Sequence, residues 1–258
     1  MEKVEIGFIG GTGLYDSSMI DNVSEMEVDT EYGSPSDVFN VGLMNGRKVA
    51  FLARHGRGHT IPPHEINFKA NITGFAKIGV NRLIACCAVG SLKEDYKPGD
   101  IVIPDQFVDW KKNSTTFYNT GNVRHVSLAD PFCSEIRNAL IATCKDLGIA
   151  CHTKGTYVCV EGPRFSTRAE SLMFRNFGDI IGMTGIPEAV LAREKEMCLG
   201  ILATVTDYDV WADKPVTFDE IKKTMKENNE KVKKIIKQVV NNIPNERNCI
   251  CKDALKSA

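Results

Sequence analysis

Thr206-Asp207-Tyr208-Asp209 concentrates the most chemistry in this 258-residue chain. It follows Cys198-Leu-Gly-Ile-Leu-Ala-Thr-Val205, an apolar stretch that reads as a buried strand. Two carboxylates two residues apart therefore stand where a strand leaves an open α/β sheet. Ligands of such sheets gather at that edge. Neighbouring carboxylates hinder each other's ionisation, so one keeps its proton to higher pH. A carboxyl that can donate or accept suits a purine, whose N7 and exocyclic group need one of each. A solvated loop, or an Asp capping the next helix, is the plainer use of the same residues.

Three further clusters have the chemistry of anion binding. Gly10-Gly11-Thr12-Gly13 ends an apolar run and brings backbone N–H groups close to a ligand. It is neither a full dinucleotide fingerprint, since Asp16 stands at the last glycine position, nor a P-loop, since no Lys-Ser/Thr follows. Arg54-His55-Gly56-Arg57 offers a guanidinium fork that matches a phosphate dianion, or equally a surface carboxylate. Gly182-Met183-Thr184-Gly185 lies between a short strand and a helix opened by Pro187. Backbone N–H groups at a helix start, with a Thr hydroxyl, favour an anion there.

The elements that must hold these residues follow from periodicity and punctuation. Residues 4–9 read as a buried strand, and residues 37–53 as a hairpin around Asn45-Gly46. Residues 54–63 are too rich in Gly and Pro for regular structure. A helix is expected over 64–78, strands over 82–89 and 101–104, and a helix over 131–147 with Asp130 as its cap. A strand over 153–160 precedes a loop and the capping box Thr167–Glu170, and 179–181 is a short strand. A second capping box, Thr217–Glu220, starts a long helix. Its stripe of Phe218, Ile221, Met225, Val232, Ile235, Ile236 and Val239 is core or a subunit contact. The pattern predicts one α/β domain over 1–243 with a mixed, twisted central sheet flanked by helices, then a tail over 244–258.

The bulk numbers narrow the class. Apolar residues are 43% and charged residues 25%, as in ordinary globular proteins. A net charge of -1 excludes a general basic surface for nucleic acid. No stretch reads as a signal or a membrane span, which predicts a cytoplasmic protein. Nine scattered cysteines fit mostly reduced thiols, and no Cys/His set has zinc-finger spacing. Cys249-Ile-Cys251 is either a chance pair or a strained, easily reduced disulfide.

Six blocks in order, GFIGGTG, ARHGRGHTIPPHEINFKANI, GSLKEDYKPGDIV, EGPRFSTRAE, GMTGIPEAVLARE and TDYDVW, resemble the trimeric purine nucleoside phosphorylases and, within them, the 5'-methylthioadenosine phosphorylases. The resemblance runs from Gly7 to about Ile243. It implies that Thr12, Arg54, His55, Cys87, Thr184 and the backbone near Ala88 hold phosphate. It places Met183 and Gly182 against the ribose, Phe165 on the purine and Asp207 with Asp209 at the base edge. It brings His125 from a neighbouring subunit, and lines the 5' pocket with Phe218 and Ile221. Cys87 stands where such enzymes usually have Thr, and Gly182 and Gly185 where they often have Asn and Thr. The GMTG form resembles methylthioinosine phosphorylases instead.

The implied reaction is reversible phosphorolysis of 5'-methylthioadenosine, with inorganic phosphate as co-substrate and neither metal nor organic cofactor. The implied assembly is a homotrimer or a dimer of trimers. Asp207 favours a 6-amino over a 6-oxo purine, because an amino group donates and a carboxylate accepts. A 6-oxopurine or methylthioinosine phosphorylase, a phosphate-independent nucleosidase and a non-catalytic purine-binding protein are the competing expectations.

Overall fold

Strand β5 (Arg82–Ser91) is the hub of the architecture. In this computed structural model, which describes residues 3–11, 19–212 and 218–256, it pairs with three strands. Parallel to it lie β1 (Ile6–Gly10) on one side and β11 (Cys198–Asp207) on the other. β10 (Ile180–Gly182) meets its carboxyl end antiparallel. The eleven described strands form one mixed sheet. Its main path runs β2 (Asp21–Met26), β3 (Phe39–Met44), β4 (Arg47–Ala53), β1, β5, β10, β9 (Thr156–Cys159) and β7 (Gln106–Asp109). From β11 the sheet continues to β6 (Ile101–Val102) and β8 (Cys151–His152).

Helices cover both faces. α1 (Phe68–Lys77) packs on α4 (Gly185–Glu194), while α2 (Ser134–Asp146) packs on α5 (Phe218–Asn242) and β11. The short α3 (Arg168–Phe174) completes the set. Two large apolar clusters result, one holding Phe39, Phe75 and Ile186, the other Ile136, Leu140, Ile235 and Ile236. A sheet covered on both faces explains why β11 is apolar throughout rather than alternating. At Gly200 a Cβ would lie 2.4 Å from Ile136, so the glycine lets α2 settle directly on β11.

Most expected elements form where periodicity placed them, and the departures have local causes. The hairpin turn has φ of 52° at Asn45 and 77° at Gly46, the left-handed pair that a two-residue turn needs. The helix expected over 64–78 starts late: Pro63–Glu65 is a 3-10 turn, and Asn67 caps α1 by accepting from the Ala70 N–H at 3.1 Å. The helix expected from Pro131 starts at Ser134. Arg193 reaches across from α4 to the carbonyl oxygens of Asp130 (2.6 Å) and Pro131 (3.2 Å) and holds that entry as loop. Gly185, not Pro187, is the first residue of α4. The Thr167–Glu170 capping box forms in full, whereas Thr217 lies outside the described residues.

The C-terminal segment does not hang free. Ile250–Asp253 forms a 3-10 turn, and Cys249 and Cys251 join the apolar cluster of α2, α5 and β11. All nine cysteines are free thiols. The disulfide between Cys249 and Cys251 is therefore not formed; the Cys249 sulfur lies 3.3 Å from that of Cys198 instead.

Candidate active site

The carboxyl ends of β1, β4, β5 and β11 open onto one cavity of about 240 Å3. β1 brings Gly11 to it, β4 brings Arg54 and His55, and β5 brings Cys86 to Gly90. β11 supplies Thr204, Thr206, Asp207 and, just past its end, Asp209. β10 and the start of α4 add Gly182, Met183 and Thr184, and Phe165 and Ser166 come from the loop before α3. The sequence-predicted residues Arg54, His55, Cys87, Ala88, Phe165, Gly182, Met183, Thr184, Asp207 and Asp209 thus meet at one place.

Asp207 has one partner on each oxygen. Its Oδ1 accepts the Asp209 N–H at 2.7 Å, and its Oδ2 lies 2.6 Å from the Thr206 hydroxyl. Burial pushes Asp207 above the ordinary carboxylate range, with those hydrogen bonds opposing and Asp209 adding to the rise. The Thr206 oxygen also lies 3.1 Å from the Val89 carbonyl. One hydroxyl proton cannot serve both at once, so Thr206 donates to either Val89 or Asp207 at a given moment. Asp209 sits in a left-handed turn at φ 48° and accepts from Ser171 of α3. Burial raises Asp209 as well. Gly90 makes the arrangement possible, because a Cβ there would lie 3.0 Å from the Asp207 Oδ1.

Arg54 departs from its expected use as a free phosphate fork. Its guanidinium is 2% exposed and grips Glu188 of α4, itself fully buried, through Nε at 2.5 Å and Nη2 at 2.9 Å. Nη1 donates to the Cys86 carbonyl at 2.9 Å. Burial opposes the Arg54 charge, yet Glu188 more than offsets that and holds Arg54 above its ordinary value. A buried carboxylate requires such a partner. Glu188 stands in the first turn of α4 with no local sequence signal to mark it as the partner of Arg54.

His55 carries no charge at this site. Burial, then the Arg54 charge, lower it to about 4, so the ring is neutral at physiological pH. Its Nδ1 lies 2.9 Å from the Ile61 carbonyl, which fixes the proton on Nδ1 and leaves Nε2 as an acceptor. His59 stacks on it with ring centroids 4.4 Å apart. Burial pushes the Cys87 thiol up to about 11, so it is neutral, and its sulfur accepts weakly from Arg54 Nη2 at 3.8 Å. Thr184 is buried at the residue before α4 and its hydroxyl does not cap that helix.

Gly182 explains one departure from the family pattern. A Cβ there would lie 2.2 Å from the Tyr157 hydroxyl, which fills the space a larger residue would take. That hydroxyl is buried without a hydrogen-bond partner. Neither Tyr157 nor Ser171 carried any site signal in the sequence, because both lie in ordinary-looking elements. Of the other expected residues, His125 is exposed and does not line this cavity. Thr12 and the side chains of Phe218 and Ile221 lie outside the described residues, while Asn229 and Val232 of α5 do reach the cavity.

The cavity lies at the carboxyl ends of the central strands, where open α/β sheets bind their small ligands, and Asp207, Asp209 and buried Arg54 line it. The chain belongs to the phosphorylase superfamily, which matches residues 5–241. It is 55% identical over 260 residues to the S-methyl-5'-thioadenosine phosphorylase of Thermofilum pendens, covering 100% of this chain and 99% of the relative. Its place within the superfamily is among the S-methyl-5'-thioadenosine phosphorylases. A methylthioadenosine phosphorylase structure from an antarctic soil metagenomic library superposes with TM-score 0.95 at 44% identity, covering 100% of this chain and 93% of that one. The methylthioadenosine phosphorylase of Schistosoma mansoni, in complex with adenine, gives TM-score 0.92 at 34% identity, with 98% and 96% covered.

Proposed function

We propose that this protein catalyses the reversible phosphorolysis of 5'-methylthioadenosine to adenine and 5-methylthioribose 1-phosphate. The observation that carries the reading is Asp207, a half-buried carboxyl raised by burial at the cavity edge, in a chain whose full length matches enzymes of that activity. A carboxylic acid presents an O–H and a carbonyl oxygen side by side. Adenine presents N7, an acceptor, next to the N6 donor, so the two edges are complementary. Hypoxanthine sets two acceptors in the same places, which leaves one oxygen facing another.

Catalysis then has two halves. Asp207 donates to N7 as the glycosidic bond lengthens, which stabilises the departing purine. Phosphate sits opposite, against the N–H groups near Gly11 and Ala88, the Thr184 hydroxyl and Arg54. Because Glu188 already balances the Arg54 charge, the dianion is held mainly by oriented donors. It keeps its own charge to stabilise the cationic sugar that it attacks. The acceptor Nε2 of His55 suits the one protonated oxygen of hydrogen phosphate. Phe165, 45% exposed at the rim, covers the base, and Met183 packs on the ribose.

The active assembly in this reading is a homotrimer, alone or as a dimer of trimers. The exposed position of His125, away from its own cavity, supports its service to a neighbour's site. No described helix is long and apolar enough to cross a membrane, which is compatible with a cytoplasmic enzyme. A base-release assay with phosphate, run on methylthioadenosine, methylthioinosine, adenosine and inosine, tests the reading. Methylthioadenosine should be the best substrate. Faster release of hypoxanthine from methylthioinosine would reverse the base assignment.

A further inference from the structure

Four cysteines far apart in the sequence meet at the amino end of β11. Cys133 is the residue before α2, Cys198 is the first residue of β11, and Cys249 and Cys251 belong to the C-terminal segment. All four are buried, and their sulfurs all lie within 4.8 Å of one another. The sulfurs of Cys198 and Cys249 are 3.3 Å apart. A tetrahedral zinc with Zn–S bonds of about 2.3 Å sets its four sulfurs roughly 3.8 Å apart. Ligand number, ligand type and spacing therefore all correspond to a closed tetrahedral site. Thiols are weak hydrogen-bond partners, so crowding four of them offers each other little on its own.

The surroundings suit the charge such a site would carry. Four thiolates on a divalent cation leave two negative charges. α2 begins immediately after Cys133, so its amino-terminal N–H groups and dipole face an anion at that sulfur. Buried Arg82 is the register neighbour of Cys198 across the sheet. Its guanidinium donates to Glu135 at 2.9 Å and to the Glu246 carbonyl at 2.6 Å. Glu135 in turn accepts the Asn248 N–H at 2.7 Å, so the approach of the C-terminal segment is fixed on both sides.

We propose that Cys133, Cys198, Cys249 and Cys251 form a structural site for a thiophilic divalent cation of tetrahedral preference, zinc above others. The cation replaces up to four thiol protons, which leave to solvent, and no electron is transferred. It pins the C-terminal segment to the root of β11. It takes no part in the reaction, because Asp207 lies at the other end of that ten-residue strand.

Metal analysis of the intact protein purified under reducing, chelator-free conditions tests this. One zinc or ferrous iron per chain, lost in Cys251→Ser with base release unchanged, is the expected result. A second measurement needs no variant. Cobalt(II) added to chelator-treated wild-type protein should give the intense visible bands of tetrahedral thiolate coordination, abolished by one equivalent of zinc. The proposal is overturned if the protein holds no metal and cobalt gives only the weak spectrum of six-coordinate aquo ion. It is equally overturned if the non-reduced chain lacks four hydrogens, which would show two disulfides.

Discussion

Strand β11 has one kind of chemistry at each end. At its carboxyl end Thr206, Asp207 and Asp209 keep hydrogen-bonding capacity turned toward a cavity. At its amino end Cys198 is sealed among three other buried sulfurs. The first end is built of residues adjacent in sequence, which bond one another and line the open cavity. The second is assembled from three distant segments and turns no group outward. An open end with partly satisfied polar groups does chemistry, and a closed end with matched soft ligands holds the chain together. Substitutions at the two ends should therefore separate: the carboxyl end should govern rate and base choice, the amino end the anchoring of the C-terminus.

The largest effect should come from Asp207. Replacing it with Ala removes the donor to N7, and kcat/KM for methylthioadenosine should fall on the order of a hundredfold or more. Asp207→Asn should move preference toward 6-oxopurines, because the amide NH2 donates to O6 while its oxygen accepts the proton that the departing 6-oxopurine carries on N7. Steady-state kinetics on the two methylthionucleosides reads both. An unchanged preference in Asp207→Asn would break the assignment of this end of β11 to base recognition.

Next is the buried pair behind the phosphate cradle. Arg54→Ala leaves Glu188 buried without its partner, so the protein should lose about 3–5 kcal/mol of stability and its KM for phosphate should rise. Replacing both residues with apolar ones of similar size should recover much of the stability but not the KM. Denaturant unfolding alongside phosphate titration separates the two roles. If Arg54→Ala raised the phosphate KM without loss of stability, the fork would belong to phosphate and not to Glu188.

His55 predicts a smaller effect of definite sign. Its folded value of about 4 lies below its ordinary one, so the unfolded chain takes up a proton first as pH falls. The stability tied to the neutral ring is complete above the ordinary histidine range and is lost as the pH drops from there toward 4. His55→Gln should flatten that part of the stability-versus-pH curve. Smallest of all is Tyr157→Phe. Its hydroxyl has no partner, so its removal should change stability little by denaturant unfolding.

The carboxyl end was readable because strand, Thr206, Asp207 and Asp209 form one contiguous run. The hairpin was readable because Asn45-Gly46 dictates its own turn. What local pattern could not supply was pairing across the fold. Glu188 reads as one more residue in the first turn of a helix, yet α4 turns it onto Arg54 and converts a free cation into a neutral pair. His55 reads as one phosphate-holding residue among several, and only its burial beside Arg54 fixes it as a neutral ring. Cys249 reads as the partner of Cys251, two residues away, until the fold brings Cys198 to 3.3 Å. α2 begins three residues after its expected start because Arg193, sixty residues on, holds the preceding carbonyls. Charge state and ligand role depended on contacts between segments that no spacing rule connects.

The central claim is that phosphate, not water, takes the sugar from the purine. Incubation of the enzyme with methylthioadenosine and radiolabelled phosphate measures this directly, with adenine and labelled sugar phosphate quantified together. The account predicts equal amounts of adenine and labelled methylthioribose 1-phosphate, and no adenine in phosphate-free buffer. Undiminished adenine release without phosphate, with label left in the inorganic pool, would contradict it.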